Sequence, residues 1–217
     1  MMFEAKHVQD GQAKAKSYQN DFNEMSTVVE ETLLYLTQQH GQHAWKCIEA
    51  YILKGGWEPW FQVELTLALN VTMNQKFHTV AQVSVFREQP IYTLSKASQK
   101  SDILIRLANL NDQTDTRNLS IELKCQSRLQ SDTGDSGFIA VVTADSNKVG
   151  LATMDEKVMP CRCLNILAYS TLTTEKFPGL AHFTRITDVG PSNPVNGQEI
   201  LGQGVTLHFV AKHKDFM

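Results

Sequence analysis

Apolar residues recur along this chain in two rhythms. Between Asn20 and Gln39, the residues Met25, Val28, Val29, Leu33, Leu34 and Leu36 keep three- and four-residue spacings. That spacing predicts an amphipathic helix, and Gly41 predicts its end. The polar residues 1 to 20 predict a mobile or loosely helical lead-in. Ala44, Trp45, Ile48, Tyr51 and Ile52 predict a second helix over 42 to 53, closed by Gly55-Gly56. Later the rhythm changes to a period of two, the mark of a strand with one face buried. It predicts strands over 77 to 87, 101 to 107 and 119 to 126, and again near 161 to 170, 181 to 187 and 205 to 211.

Two stretches carry both rhythms. Phe61, Val63, Leu65, Leu67, Leu69, Val71 and Met73 alternate with more polar residues, as in a strand. Pro59 and the many good helix formers of residues 59 to 70 argue for a helix instead. Residues 138 to 149 read as a helix with Phe138, Val142, Asp145 and Val149 on one side, although Ile139-Ala140-Val141-Val142 suits a strand as well. Polar loops are predicted at Asn109 to Asp115, 130 to 137 and 190 to 194.

Composition adds limits. A hydrophobic content of 42% is ordinary for a globular chain, and no apolar run reaches the roughly 20 residues that cross a bilayer. With no hydrophobic secretory segment at Met1-Met2-Phe3-Glu4, the expectation is a soluble, cytoplasmic protein with no membrane partner. The net charge of −3 argues against strong nonspecific binding to nucleic acid. Lys76, His78, Arg87, Lys96, Lys100 and Arg106 nevertheless group loosely in the sequence. Cys47, Cys125, Cys161 and Cys163 lack zinc-ribbon spacing and read as reduced, structural thiols. His40 and His43 read as helix surface, and Trp57 and Trp60 as core packing or a helix-entry staple.

The candidate chemistry lies on 119 to 126, where Leu119, Ile121, Leu123 and Cys125 alternate with Ser120, Glu122, Lys124 and Gln126. Glu122 and Lys124 then share a face about 7 Å apart. The alternative is a solvated strand face with a local ion pair. On the preceding strand, Asp102 stands near the start of Ser101-Asp102-Ile103-Leu104-Ile105.

An acid on one strand followed by Glu-x-Lys on the next resembles the PD-(D/E)XK nuclease superfamily, with Ser101 where the motif name has proline. Glu64 looks like the glutamate that this family carries on its first core helix, and Gln126 extends the motif to Glu-x-Lys-x-Gln. Asp145 and Lys148 sit where the next helix is expected, and the resemblance covers roughly residues 57 to 149. It implies an α/β fold, a restriction-endonuclease-like mixed sheet flanked by helices. It also implies a helix over 59 to 70 with Trp60, Glu64 and Ala68 on its inner side. The whole chain, 1–217, is expected to be one domain, a helical extension of 1–56 and a core of 57–217. The implied metal ligands are Asp102, Glu122, the Leu123 carbonyl and Glu64, holding Mg²⁺ or Mn²⁺ through oxygen donors. Lys124 would orient a water, and Gln126 would touch substrate. The implied activity is hydrolysis of nucleic acid, DNA before RNA, with a second copy or a protein partner left open. The rival is an inactive nuclease-fold protein that binds nucleic acid or protein.

Overall fold

The computed structural model describes residues 2–41, 58–92, 100–125, 137, 139–144, 147, 154–168, 184–189 and 207–216. They form helices α1 (Met2–Gly41) and α2 (Glu58–Phe77). The strands are β1 (Ala81–Pro90), β2 (Lys100–Asn109), β3 (Thr116–Cys125), β4 (Cys161–Ala168), β5 (Thr184–Val189) and β6 (Leu207–Phe216). One mixed sheet holds all six in the order β1-β2-β3-β4-β6-β5. Neighbours pair antiparallel except β3 and β4, which run parallel. Between β3 and β4 lie helical residues 139–144, as a parallel connection requires a crossover. No helix among the described residues is long and apolar enough to cross a membrane.

The expected second helix over 42 to 53, Trp57, His43, Cys47, the loop at 190 to 194, Asp145 and Lys148 lie outside the described residues. Elsewhere several boundaries move, β1 running on to Pro90 and β6 to Phe216. The expected lead-in and first helix are one helix of 40 residues. The helix anticipated over 59 to 70 continues to Phe77, so the strand expected from 77 starts at Ala81.

The periodicity conflict in α2 has a physical solution. Residues 61, 65, 69, 73 and 77 are four apart, and Phe61, Leu65, Leu69, Met73 and Phe77 all face the core. Val63, Leu67 and Val71 form a second four-residue series on the opposite side, Leu67 being 63% exposed. Interleaved, two helical rows read as a period of two. The inner side is therefore not the one expected: Trp60 is 42% exposed, and Gln62 is buried in place of Glu64.

α1 and α2 pack on one face of the sheet. Phe22, Met25, Val28, Val29, Leu33 and Leu36 of α1 join the inner residues of α2 and Ile103, Ile105, Ile121 and Leu123 in one core. Each such large side chain contributes about 1.5–3 kcal/mol by leaving water, so α1 between Phe22 and Leu36 belongs to the core and is no appendage. Ile91, Tyr92, Leu104, Met154, Val158, Cys161 and Cys163 cover the other face. β3 is thus buried on both faces, and Ser120 and Glu122 are buried where a solvated polar side was one expectation.

Candidate functional site

The site forms where β2 stops shielding β3. The β2–β3 ladder ends at Ile103 opposite Ile121. Beyond it, the N–H groups of Leu123 and Cys125 face the same edge of β3 and need acceptors. Side-chain carboxylates supply both. Asp102 Oδ2 accepts from Leu123 N at 2.7 Å, and Glu58 Oε2 accepts from Cys125 N at 3.0 Å. The other Glu58 oxygen, Oε1, lies 3.2 Å from Lys124 Nζ. Strand geometry thus recruits two acids to positions two residues apart, with the lysine between them in sequence.

Local distortion helps to present Asp102. β1 pairs Arg87 with Ile103 and Gln89 with Ser101, which leaves Glu88 opposite Asp102. Glu88 has φ of 52°, in the left-handed region, which costs about 1–2 kcal/mol in a residue with a Cβ. Ser101 Oγ, fully buried, bonds to the Ile103 carbonyl at 2.8 Å and contacts Ser120 Oγ at 2.8 Å. The serine in the place of proline thereby ties β2 to β3 beside the acid.

α2 supports the same point from above. Glu58 opens the helix, and Gln62 follows one turn later on the same side. Gln62 Nε2 donates to the Asp102 carbonyl at 2.8 Å, while its Oε1 accepts from Arg87 Nη2 at 2.9 Å. Glu64 stands six positions after Glu58, roughly 240° around the helix. It is half-buried on a different side from the residues that touch β2 and β3. Among the described residues, the glutamate of α2 that reaches Lys124 and the Cys125 N–H is Glu58, which the sequence pattern did not single out. Its signal was available: an acid beside Pro59 at the very start of a helix.

Burial, first of all, pushes the Glu58 carboxyl above its ordinary value. Lys124 and the Cys125 N–H pull it down, and the neighbouring Asp102 pushes it up again. Two acids close enough to repel are charges that a cation would relieve.

Glu122 sits deeper. It is 4% exposed and its Oε1 accepts from Tyr92 Oη at 2.6 Å. Burial and the Glu122 charge raise the Tyr92 phenol well above its ordinary value, so it stays a donor. Tyr92 was also missed; its only sequence signal is an apolar pair, Ile91-Tyr92, just after Gln89-Pro90. Of the expected set, Asp102, Leu123 and Lys124 come together, Glu122 lies on the same strand beneath Tyr92, and Glu64 is turned elsewhere. Gln126 lies outside the described residues.

Among the described residues no group of three or more His, Cys, Asp or Glu is gathered tightly enough to hold a metal ion. Mg²⁺ asks for less, commonly one or two carboxylates with waters and substrate phosphates. The all-oxygen donors here, Glu58, Asp102 and the main chain of β3, suit such an ion.

The loose basic group separates in space. Arg87 and Lys100 lie at the site end of β1 and β2, whereas Arg106 lies toward the other end and bonds to Asn118 at 3.1 Å. Lys76 pairs with Glu24 at 2.9 Å, and Lys96 lies outside the described residues. Cys125, Cys161 and Cys163 are buried free thiols, as expected. No protein-family model, no curated protein and no solved structure matches the chain.

Proposed function

We propose that the protein is a metal-dependent nuclease with a restriction-endonuclease-like core, hydrolysing phosphodiester bonds of nucleic acid, DNA before RNA. The observation that carries this reading is the convergence of Glu58, Asp102 and Lys124 at the end of β3 beyond its ladder with β2. The succession of α2, three antiparallel strands, helical residues and a fourth strand parallel to the third supports the fold reading.

In this reading Asp102, Glu58 and the Leu123 carbonyl would hold Mg²⁺ or Mn²⁺, with Glu122 as a fourth donor. Such an ion supplies a water of lowered pKa and offsets charge on the phosphorus. Lys124, held by Glu58, donates toward the attacking water or the phosphate oxygens. Asp102 is kept in place from both ends, by its side chain on Leu123 and by Gln62 on its carbonyl. Tyr92 fixes Glu122 through its Oε1.

A second reading also has an observation behind it. Lys124 and Glu122 already have partners inside the fold, Glu58 and Tyr92. A chain built this way could bind nucleic acid or a protein without cutting. Incubation of supercoiled and linear DNA with the protein, with Mg²⁺, Mn²⁺ or EDTA, separates the two. Nicking that EDTA abolishes is the expected result. Retardation of DNA on a gel without nicking in either metal would favour the inactive reading.

A further inference from the structure

We propose that Arg87 is the phosphate-binding residue of this site, aimed by Gln62 at the nucleic-acid backbone beside the scissile bond. The inference rests on the nuclease reading and names how that site takes its substrate.

Arg87 projects from β1 opposite Ile103, one position from the Asp102–Glu88 pair. Strand alternation puts it on the face that α2 covers, with Val83 and Val85, both packed against the core. There it meets Gln62, which is 7% exposed and engaged at both ends of its amide: its nitrogen donates to the Asp102 carbonyl and its oxygen accepts from Arg87 Nη2. One buried amide therefore sets the distance between the acid and the guanidinium.

The guanidinium itself is exposed, and among the described residues it makes no ion pair. This distinguishes it from the ion-paired Arg117 and Arg162; among the described residues Arg106 likewise rests on a neutral amide, but at the other end of the sheet. Arg117 is paired with Asp21 and Asp115, and Arg162 with Asp215. Lys100, at the same end of the sheet, is paired with Glu88 at 3.6 Å. Among the described residues, Arg87 presents a guanidinium without an ion pair one amide away from the Asp102 main chain.

A guanidinium with one N–H bond made and four donors left suits a phosphate oxygen pair, which it can bind by two parallel bonds. A substrate bearing one negative charge per nucleotide must also be drawn toward two carboxylates in a chain of net charge −3. A fixed cation at the rim offsets that repulsion. A neutral support such as Gln62 orients Arg87 without cancelling its charge, which a carboxylate would do.

The test is fluorescence anisotropy of a labelled 20-base-pair DNA duplex with the full chain, in Ca²⁺ or Mg²⁺, across a salt series. Arg87→Ala should weaken binding about tenfold and flatten the dependence of log K on log salt by about one phosphate's worth. Gln62→Leu should weaken binding by less and leave the salt slope unchanged, since the charge remains while its aim is lost. An Arg87→Ala protein with the wild-type salt slope overturns the proposal even if the enzyme cuts DNA. Wild-type protein that binds no duplex in either metal overturns the nuclease reading, and this inference with it. Circular dichroism of Gln62→Leu guards against misfolding, and Arg87→Lys gives an independent check: it should keep the salt slope but lose part of the affinity.

Discussion

Arg162 and the Glu58–Asp102 pair both hold charge against the sheet, and they hold it differently. At Arg162 a buried guanidinium on β4 has its needs met. Its Nε and Nη2 bind Asp215 at 2.6 and 2.9 Å, and its Nη1 binds Asn23 and Ser26. With the Gln19 amide turned, a further oxygen lies 2.6 Å from Nη2, and the Phe22 ring lies 5.4 Å away. At Glu58 and Asp102, by contrast, two acids share an edge with one lysine, and burial raises the Glu58 carboxyl. The first arrangement closes the electrostatics and anchors α1 to the sheet. The second leaves like charges near each other at a half-open strand end. In the first, opposite charges are matched; in the second, two acids stand near one lysine, an arrangement more common at functional sites.

The comparison can be broken most forcefully at Arg162. Arg162→Ala should cost about 3 kcal/mol, because removing one partner strands the other buried polar groups. Urea denaturation measures it, and a change under about 1 kcal/mol would mean that the network anchors nothing. Cleavage per folded molecule should stay as in wild type.

Lys124→Ala should lower the cleavage rate about 100-fold, the usual scale for a lost proton-transfer or charge-stabilising group, with far less effect on stability than Arg162→Ala. It should also push the Glu58 carboxyl higher, because Lys124 now holds it down. A wild-type rate in a nicking assay would strike Lys124 from the site.

Glu58→Gln sharpens the contrast, since here removing a charge should help the fold. Folding raises the Glu58 pKa above the ordinary 4.5, so folding favours the protonated acid. That contribution is whole below the unfolded value and is lost as pH rises through the folded one. Without metal, the variant should therefore melt higher than wild type at pH 7, by about 2 °C, and the gain should vanish toward pH 4. Stabilisation by Mg²⁺ should shrink in the same variant. A lower melting temperature at pH 7 than wild type would show that Glu58 is a satisfied structural acid.

The smallest effect is expected at Glu64. Glu64→Gln should change the cleavage rate by less than about twofold, given its place around α2 away from Asp102. A large loss of rate with unchanged DNA affinity would restore it as the helical glutamate in place of Glu58.

Local pattern made much of the fold legible. β2, β3 and β4 announce themselves through alternating apolar residues, and α1 through four-residue spacing, because each signal is set by the geometry of one element against one core. The placement of Asp102 on β2 and of Glu122 and Lys124 on β3 was legible for the same reason. What one element cannot encode is its rotation against the next. α2 has apolar rows on two opposite sides, and only packing chose the row of Phe61, Leu65 and Leu69 to face the core. That choice turned Glu58 and Gln62 toward β3 and Glu64 away.

The sequence by itself therefore determined the helices and strands, the motif strands β2 and β3, and the types of residue from which a site could be built. Tertiary structure decided which glutamate stands near Asp102, where Lys124 finds a partner, and that Tyr92 donates to Glu122. It decided also that Arg87, 15 residues before Asp102 in the sequence, stands one amide away from it in space. The physical reason is that unmet backbone N–H groups at the end of a strand draw acids from wherever the packed chain can offer them, and sequence distance places no limit on that search.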